Sequence, residues 1–416
     1  MGADYVESLL DVALARARLS PADRGLCQEL VYGAVRWQRT LDWLIARKTP
    51  GRTQKLTLQI LLRLGLYQMF WLGRIPDHAA VHETVELARC LGFGPQSGFI
   101  NALLRGYSRE RPATVELLAA LKTNDPSLGF SHPEWLWQRW STAFGPESAV
   151  RLLDWNNSPP PTYARVNTLR TTATQLADAW RAEGVSFTPC AWDWTGDHLV
   201  FRLDSHPALA SLPSFADGRF YIQDPSTLLA VQTLNPQPGE QILDLCAAPG
   251  GKTTFIAQCV SNNGTLLASD AHADRLALID QNCRRLGVTC VRTSLATDVA
   301  PAPAFDRILV DAPCSNTGVL RRRVDLRWRL QLAEINRLAA AQLRLLEQAA
   351  ARLRPGGTLV YSTCSLEPDE NHAVVAAFLA AQPSFRLVTE RQLTPTAHQV
   401  DGAYVAHLQS AAALAR

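Results

Sequence analysis

The sequence predicts three successive folding units: an all-helical domain, a small α+β subdomain, and a doubly wound α/β domain with a mostly parallel sheet. Three observations carry this. Over residues 1–145 apolar side chains recur at three- and four-residue spacing, as in Leu26, Leu30 and Ala34, or Ile60, Leu61, Leu64 and Tyr67. From about residue 236, apolar runs of strand length alternate with helical stretches, the signature of a sheet wound with helices on both faces. Between them, 146–235 mixes both patterns. A chain of 416 residues, 47% apolar and 19% charged, has the composition of an ordinary globular protein with room for two or three cores.

In order along the chain, Thr49-Pro50-Gly51 and Ile75-Pro76-Asp77 separate helices of the first domain, with Asp77 expected to cap the helix that follows. Asn156-Asn157-Ser158-Pro159-Pro160-Pro161 reads as a stiff linker that no helix crosses. In the α+β segment, strands are expected at 163–167, 198–203 and 219–222, and a helix at 173–183. In the α/β domain, strands are expected at 241–245, 265–269, 307–310 and 357–362. Helices should follow at 252–260, 272–286, 331–353 and 368–381.

Composition excludes several classes. No run of about 18 apolar residues occurs, so no membrane span is expected. The opening stretch carries Asp4, Glu7 and Asp11 and lacks an apolar signal core; Met1-Gly2 is read as an ordinary start, because Val6 stands where a myristoylation motif wants Ser or Thr. The nine cysteines lie at no Cys-x-x-Cys spacing and form no Cys/His quartet, so no metal is expected and the cytoplasm is the expected compartment. Most are expected to be small buried hydrophobes. The net charge of +3 is too small to demand a nucleic-acid partner. Residues 1–140 nevertheless hold 17 Lys/Arg against 13 Asp/Glu, so the excess lies there. The sharpest local feature is Arg321-Arg322-Arg323-Val324-Asp325-Leu326-Arg327-Trp328-Arg329.

Gly239 to Thr254 reads as a strand, a glycine turn and a helix start. Gly250 and Gly251 let the backbone turn sharply beside a ligand, with free N–H groups at the helix N-terminus. A Walker phosphate loop needs Gly where Cys246 stands, and a dinucleotide site needs a glycine spacing this turn lacks. S-adenosylmethionine needs only the turn and a carboxylate for its ribose hydroxyls at the next strand end. Asp270 stands there, a helix cap being its plainer reading.

Arg307 to Ser315 and Gly357 to Ser365 are two buried strands, the first ending in Asp311 and Cys314, the second in Cys364. Ligands bind at the C-terminal edge of such sheets, so both thiols fall where cofactor and substrate meet. Two thiols suit methylation of cytosine carbon 5, a poor nucleophile. A thiolate adding to carbon 6 turns the ring into an enamine, carbon 5 takes the methyl, and a base removes the carbon 5 proton before the thiol leaves. Asp311 suits the N3 and amino edge of the ring, where charge develops. Amino-group methylation of adenine is commonly met by a Pro-Pro-aromatic motif, which Asp311-Ala-Pro-Cys314 does not match. The arginine run follows Cys314 by seven residues, so Arg321, Arg322, Arg323 and Arg327 are expected on RNA phosphates. Trp328 suits either stacking on a base or helix packing.

Taken together, these residues resemble the RsmB (Sun/Fmu) family of bacterial ribosomal RNA cytosine-5 methyltransferases, in the Nol/Nop/Sun group, over essentially the whole chain. The resemblance rests on Asp244 to Thr253, Asp311 to Ser315 and Ser362 to Ser365, with Ala164 to Arg170 and Gln223 to Ser226 similar to the group's upstream motifs. Leu64 to Tyr67 and Phe99 to Arg105 resemble a NusB-type RNA-binding domain. The resemblance implies a NusB-like domain at 1–145, a linker and RRM-like subdomain at 146–235, and a Rossmann-like S-adenosylmethionine methyltransferase domain at 236–416. It implies cofactor contacts from Cys246, Ala247, Ala248, Pro249, Gly250, Gly251, Lys252, Asp270 and Asp311. It also assigns Cys364 as nucleophile and Cys314 to product release, which the chemistry leaves open, and 16S rRNA cytosine 967 as substrate; a monomer is expected, on no signal in the sequence.

The sequence departs from the family in three places. Arg292 to Asp298 offers only a displaced Asp298 where an acid usually contacts the adenine end of the cofactor. Arg323-Val324 replace a usual His-Pro, and Asp401-Gly-Ala-Tyr404 replaces Asp-Gly-Phe-Phe. Two rival readings stand beside this one: the same chemistry on transfer RNA or another ribosomal site, and a non-catalytic RNA-binding assembly factor, which would need no pair of thiols.

Overall fold

The computed structural model describes residues 5–300, 302 and 304–412; Met1, Gly2 and Asp4 lie outside the described residues. It divides into two compact units, Met1–Pro159 with Leu320–Arg329, and Pro160–Val319 with Leu330–Arg416.

The first unit is helical. Gln38–Lys48, Leu56–Trp71, Asp77–Cys90 and Ser97–Arg109 bury one apolar core, with Leu41, Leu44, Leu62, Leu66 and Leu104 fully inside. Pro21–Arg36 packs against Leu56–Trp71 so closely that a Cβ on Gly33 would meet the Tyr67 ring at 1.9 Å. Asp77 does not cap its helix. Pro76 takes the cap position, and the Asp77 carboxylate pairs with Arg111. The helical run continues beyond 145: Gly145, at φ +79, breaks one helix and Pro146 opens another, Pro146–Asn157, whose Ala149, Leu152 and Leu153 are buried.

The second unit holds two sheets. The smaller is antiparallel in the order β2-β3-β1-β4, formed by Thr162–Val166 (β1), Ser186–Cys190 (β2), Val200–Ser205 (β3) and Phe220–Ile222 (β4). Helix Ala173–Ala182, opened by a Thr172/Gln175 capping box, buries Trp180 against Phe187, Phe201 and Phe220. The larger comprises Gln241–Leu245 (β5), Thr265–Asp270 (β6), Val291–Leu295 (β7), Phe305–Asp311 (β8), Leu353–Thr363 (β9), Phe385–Leu393 (β10) and Ala403–Ser410 (β11). Its order is β10-β11-β9-β8-β5-β6-β7. The five strands from β9 to β7 are parallel and β11 is antiparallel to both neighbours. The chain winds outward from β5 to β7, then crosses back to β8 on the other side. The C-terminal edge of β5 and β8 is therefore a topological switch point, where such sheets leave a crevice for ligands. Among the described residues no helix is long and apolar enough to cross a membrane.

Candidate active site

Beyond β5 the chain makes a compact turn. Cys246 takes a left-handed conformation (φ +60), Ala248–Pro249 is cis, and Gly250 at φ +99 leads into helix Gly251–Cys259. The backbone at Gly250 lies so near Ile279 that a Cβ would stand 3.3 Å from its Cα. Arg165 of β1 braces this turn from beneath. It is 1% exposed and donates to the Gly251 carbonyl (2.9 Å), the Gln223 side chain (2.5 Å) and Thr254 Oγ1 (3.1 Å). Arg165 and Gln223, one from each upstream motif, thus act on the glycine turn. Asn167 extends the brace, donating to the carbonyls of Gly218 and Leu286.

Three carboxylates end three strands around the turn. Asp244 in β5 accepts from Thr253 Oγ1 at 2.6 Å, and its Oδ1 is buried without a partner among the described residues. Burial pushes its pKa up to about 7. Asp270, ending β6, is 1% exposed and joined to the turn by the Ala248 N–H. It also takes the His272 N–H and Arg275, all at 3.2–3.3 Å; His272, not Asp270, holds the cap position of the next helix, and Asp270 is tied to the glycine turn instead. Asp311, ending β8, is held from two sides: Lys252 Nζ lies 2.7 Å from one oxygen and Ser362 Oγ 2.7 Å from the other. Burial opposes the Lys252 charge, but Asp311 outweighs it and raises the lysine pKa, with Cys364 acting in the same direction. The turn ending in Gly250 and Gly251, the acid at the next strand end and the orphaned Asp244 oxygen form a set of groups that fits S-adenosylmethionine. Asp298 lies in an exposed turn after β7, its carboxylate accepting from Thr297. Among the described residues no group of three or more His, Cys, Asp or Glu is arranged for a metal.

The structure brings the two predicted thiols together: Cys314 Sγ and Cys364 Sγ are 3.2 Å apart. Cys364 Sγ also lies 3.0 Å from Asn316 Oδ1, an oxygen oriented by its own amide group, which donates to the Cys314 carbonyl at 2.7 Å. The Gly318 N–H closes the loop onto the Cys364 carbonyl, where a Cβ on Gly318 would stand 2.7 Å from that oxygen. The hydrogen bond to Cys364 is the main reason the Cys314 pKa is raised well above the ordinary thiol value. Burial comes next, then the charges of Cys364 and Glu370. Seven further cysteines are free, but only Cys283 among them is fully buried; Cys90 and Cys259 face outward. The expectation of mostly buried cysteines is therefore corrected, because helix positions such as 90 and 259 turn away from the core.

Sequence reasoning missed the group beneath the thiols. Glu370 is fully buried and accepts from the Ser315 N–H (2.8 Å), Ser315 Oγ, Ser365 Oγ (2.5 Å) and Gln342 Nε2 (3.1 Å). One carboxylate thus clasps the serine that follows each cysteine. Asn371 adds a bond to the Ser365 carbonyl. The available signal was the repeated Cys-Ser pair, Cys314-Ser315 and Cys364-Ser365.

The arginine run lies elsewhere than expected. It belongs to the first unit, and Arg321 and Arg327 are 2% and 0% exposed. Arg327 donates to the carbonyls of Ser131 and Asn156 and to Asn157 Oδ1, and Arg321 stacks on Trp155 at 4.0 Å. These two guanidinium groups staple helices and are closed to phosphate. Arg322 is half-buried and Arg323 exposed, over the Tyr5 ring. Trp328 packs, donating to the Val35 carbonyl.

Comparison with known proteins agrees with this geometry. The family model described as 16S rRNA methyltransferase RsmB/F matches residues 231–409, the NusB family model 3–109, and an RsmF/B-like ferredoxin-like domain 132–197. A probable ribosomal RNA small subunit methyltransferase B from Synechocystis sp. is 37% identical, spanning 98% of this chain and 96% of that protein. The ribosomal RNA small subunit methyltransferase B of Erwinia tasmaniensis is 36% identical over 98% and 97%. The chain belongs to the ribosomal RNA small subunit methyltransferase B family. Among solved structures, a methyltransferase homolog from Pyrococcus horikoshii is 31% identical with a TM-score of 0.59, covering 69% of this chain and 98% of its own. PH0851 shares the fold over 94% of this chain and 91% of its own, at 23% identity and a TM-score of 0.78. The larger sheet is accordingly the methyltransferase domain of this family member, the smaller its ferredoxin-like domain, and the leading helices its NusB domain.

Proposed function

We propose that this methyltransferase transfers a methyl group to carbon 5 of a cytosine in 16S rRNA, position 967 in the family's numbering, through a covalent adduct with Cys364. The observation that carries the proposal is the pair of thiols 3.2 Å apart at neighbouring strand ends, beside the Asp311–Lys252 ion pair. S-adenosylmethionine supplies an electrophilic methyl. Cys246 to Lys252, Asp270 and Asp311 would hold it.

The chain's own groups divide the remaining work. Cys314, its pKa raised, retains its proton and lies within hydrogen-bonding distance of Cys364 Sγ. Lys252 adds positive charge on the same side. The Cys364 thiolate forms a bond to carbon 6, and the ring's electrons shift toward N3, where Asp311 positions the Lys252 ammonium against the developing charge. After carbon 5 gains the methyl, its proton leaves to a base. The carbon 6–sulfur bond then breaks and Cys364 departs as the thiolate. Cys314, at 3.2 Å, is the group positioned to assist this last stage.

The test is adduct trapping with a 16S rRNA fragment and S-adenosylmethionine. Cys364→Ala should form no covalent species and no methylcytosine. Cys314→Ala should attack and methylate, then stall as an RNA-shifted band on a denaturing gel. A stable adduct in Cys364→Ala and none in Cys314→Ala would reverse the two roles. Bisulfite sequencing of rRNA from a strain lacking the protein should show a methyl group lost at position 967; loss at another site would replace that target.

A further inference from the structure

On the second unit, a hollow of about 470 Å³ is lined by Arg170, Ala216, Asp217, Arg219, Arg284 and Arg285. Four guanidinium groups from three stretches of chain converge there against one carboxylate. Asp217 is already paired with Arg219 at 3.0 Å. Arg285 is fixed: it donates to the carbonyls of Phe215 (3.0 Å) and Phe220 (3.1 Å) and stacks on the Phe215 ring at 4.1 Å. Arg170 lies directly over Gly287, where a Cβ would come within 2.4 Å of its Nε. Arg170 and Arg284 are exposed, and neither has an ion-pair partner among the described residues.

A plainer account covers half of this. Arg284 and Arg285 sit in the last turn of helix Ala273–Leu286, where cations complement the helix dipole. That does not bring Arg170 from the loop after β1, or Arg219 from the turn before β4, to the same hollow. Like charges gathered around a concavity repel one another and focus a positive potential into it, an arrangement that an anion relieves. The carbonyl contacts and ring stacking hold Arg285 in a preset orientation, as a phosphate seat requires. Helix Ala273–Leu286 starts just after Asp270, and its 14 residues span roughly 21 Å. The hollow therefore lies at the end of that helix remote from the cofactor side.

We propose that this four-arginine hollow seats the sugar–phosphate backbone of the ribosomal RNA substrate, away from the reacting base. It fixes register and affinity and takes no part in the chemistry. The inference rests on the rRNA-substrate reading above and assigns it a surface. Arg170, Arg219 and Arg284 reach the phosphate oxygens, while Arg285 holds the floor. The arginines expected for this task from sequence, Arg321 and Arg327, are closed to it.

The experiment measures binding of a labelled 16S rRNA fragment by the full chain across a salt series. Each phosphate contact contributes roughly 0.7–0.9 to the slope of log affinity against log salt. The double variant Arg170→Gln/Arg284→Gln should lower that slope by roughly 1.5 and weaken binding at physiological salt. S-adenosylmethionine affinity, and the adduct rate at saturating RNA, should stay as in the parent. Asp217→Asn removes the one acid and should tighten RNA binding, a gain that no folding defect produces. An unchanged slope in the double variant, or no gain in Asp217→Asn, overturns the assignment. So does inorganic phosphate competing as well as RNA at constant ionic strength, which would make this a free-anion site. If the full chain fails to bind the fragment at all, the ribosomal RNA reading itself falls; binding with an unaltered slope sinks the hollow alone.

Discussion

Glu370 offers a way to separate the geometry of the thiol pair from its electrostatics. Its carboxylate satisfies four donors inside the protein: two hydroxyls, one backbone N–H and one side-chain amide. In Glu370→Ala the hydroxyls can turn to one another, since Ser315 Oγ and Ser365 Oγ are 3.1 Å apart, but the Ser315 N–H and Gln342 Nε2 lose that acceptor. Gln342 keeps its bond to the Pro313 carbonyl, so the orphaned N–H and the cavity dominate. At about 1–3 kcal/mol for an unsatisfied buried group plus the lost side-chain volume, the loss should be about 2–5 kcal/mol. Glu370→Gln behaves differently. Its carbonyl can keep the Ser315 N–H and Gln342, its NH2 can donate to hydroxyls that rotate, and the cost should stay near 1 kcal/mol. Only the charge disappears. Because the Glu370 charge is one of the groups raising the Cys314 pKa, Cys314 should titrate lower in Glu370→Gln. Peptide-resolved alkylation against pH reads this directly, and denaturant unfolding reads the stability. An unshifted Cys314 profile in Glu370→Gln, or an Ala variant as stable as the parent, would refute the clasp.

Two further outcomes follow from buried charge. Asp244 has a folded-state pKa of about 7 against an ordinary 3.8, so the stability it contributes is fully present below about pH 4 and is lost as pH rises through 7. That corresponds to about 4 kcal/mol across the window. Asp244→Asn should flatten this part of the pH–stability profile, and a parallel curve for parent and variant would disprove it. Arg327→Ala should destabilise the protein by roughly 2–4 kcal/mol in urea unfolding, because three oxygens lose their donor inside the first unit. Its RNA salt slope should stay unchanged, whereas a phosphate contact would lower the slope and spare stability.

How much was legible in the sequence follows from where the information resides. Strands β5, β6, β8 and β9 announce themselves as apolar runs ending in a turn motif, because a central parallel strand is buried on both faces. Strand β10 has no such signature: Phe385–Leu393 is an edge strand with most side chains in water, so its pattern reads as surface. Cys314 and Cys364 were legible as strand-end residues, and strand order then did the rest by pairing β8 with β9. Glu370 was not, since a carboxylate in Pro368-Asp369-Glu370-Asn371 looks solvated until the chain is seen folding back beneath both thiols. The arginine run failed for the same reason in reverse. Charge density along a sequence measures the cost of burial but not whether distant carbonyls meet it, and Ser131, Asn156 and Asn157 do meet it at Arg327. This has a consequence for dissecting the protein. Leu320–Arg329 leaves the second unit just after the Cys314 loop, folds with the helical unit, and returns at Leu330. Cutting the chain at residue 146, as sequence boundaries suggest, would split helix Pro146–Asn157 from its unit and strip the surroundings of Leu320, Val324 and Leu326, all buried. Loss of RNA binding in such a fragment would therefore confound a missing RNA surface with a disordered segment six residues from Cys314. Single substitutions on exposed arginines avoid that confusion.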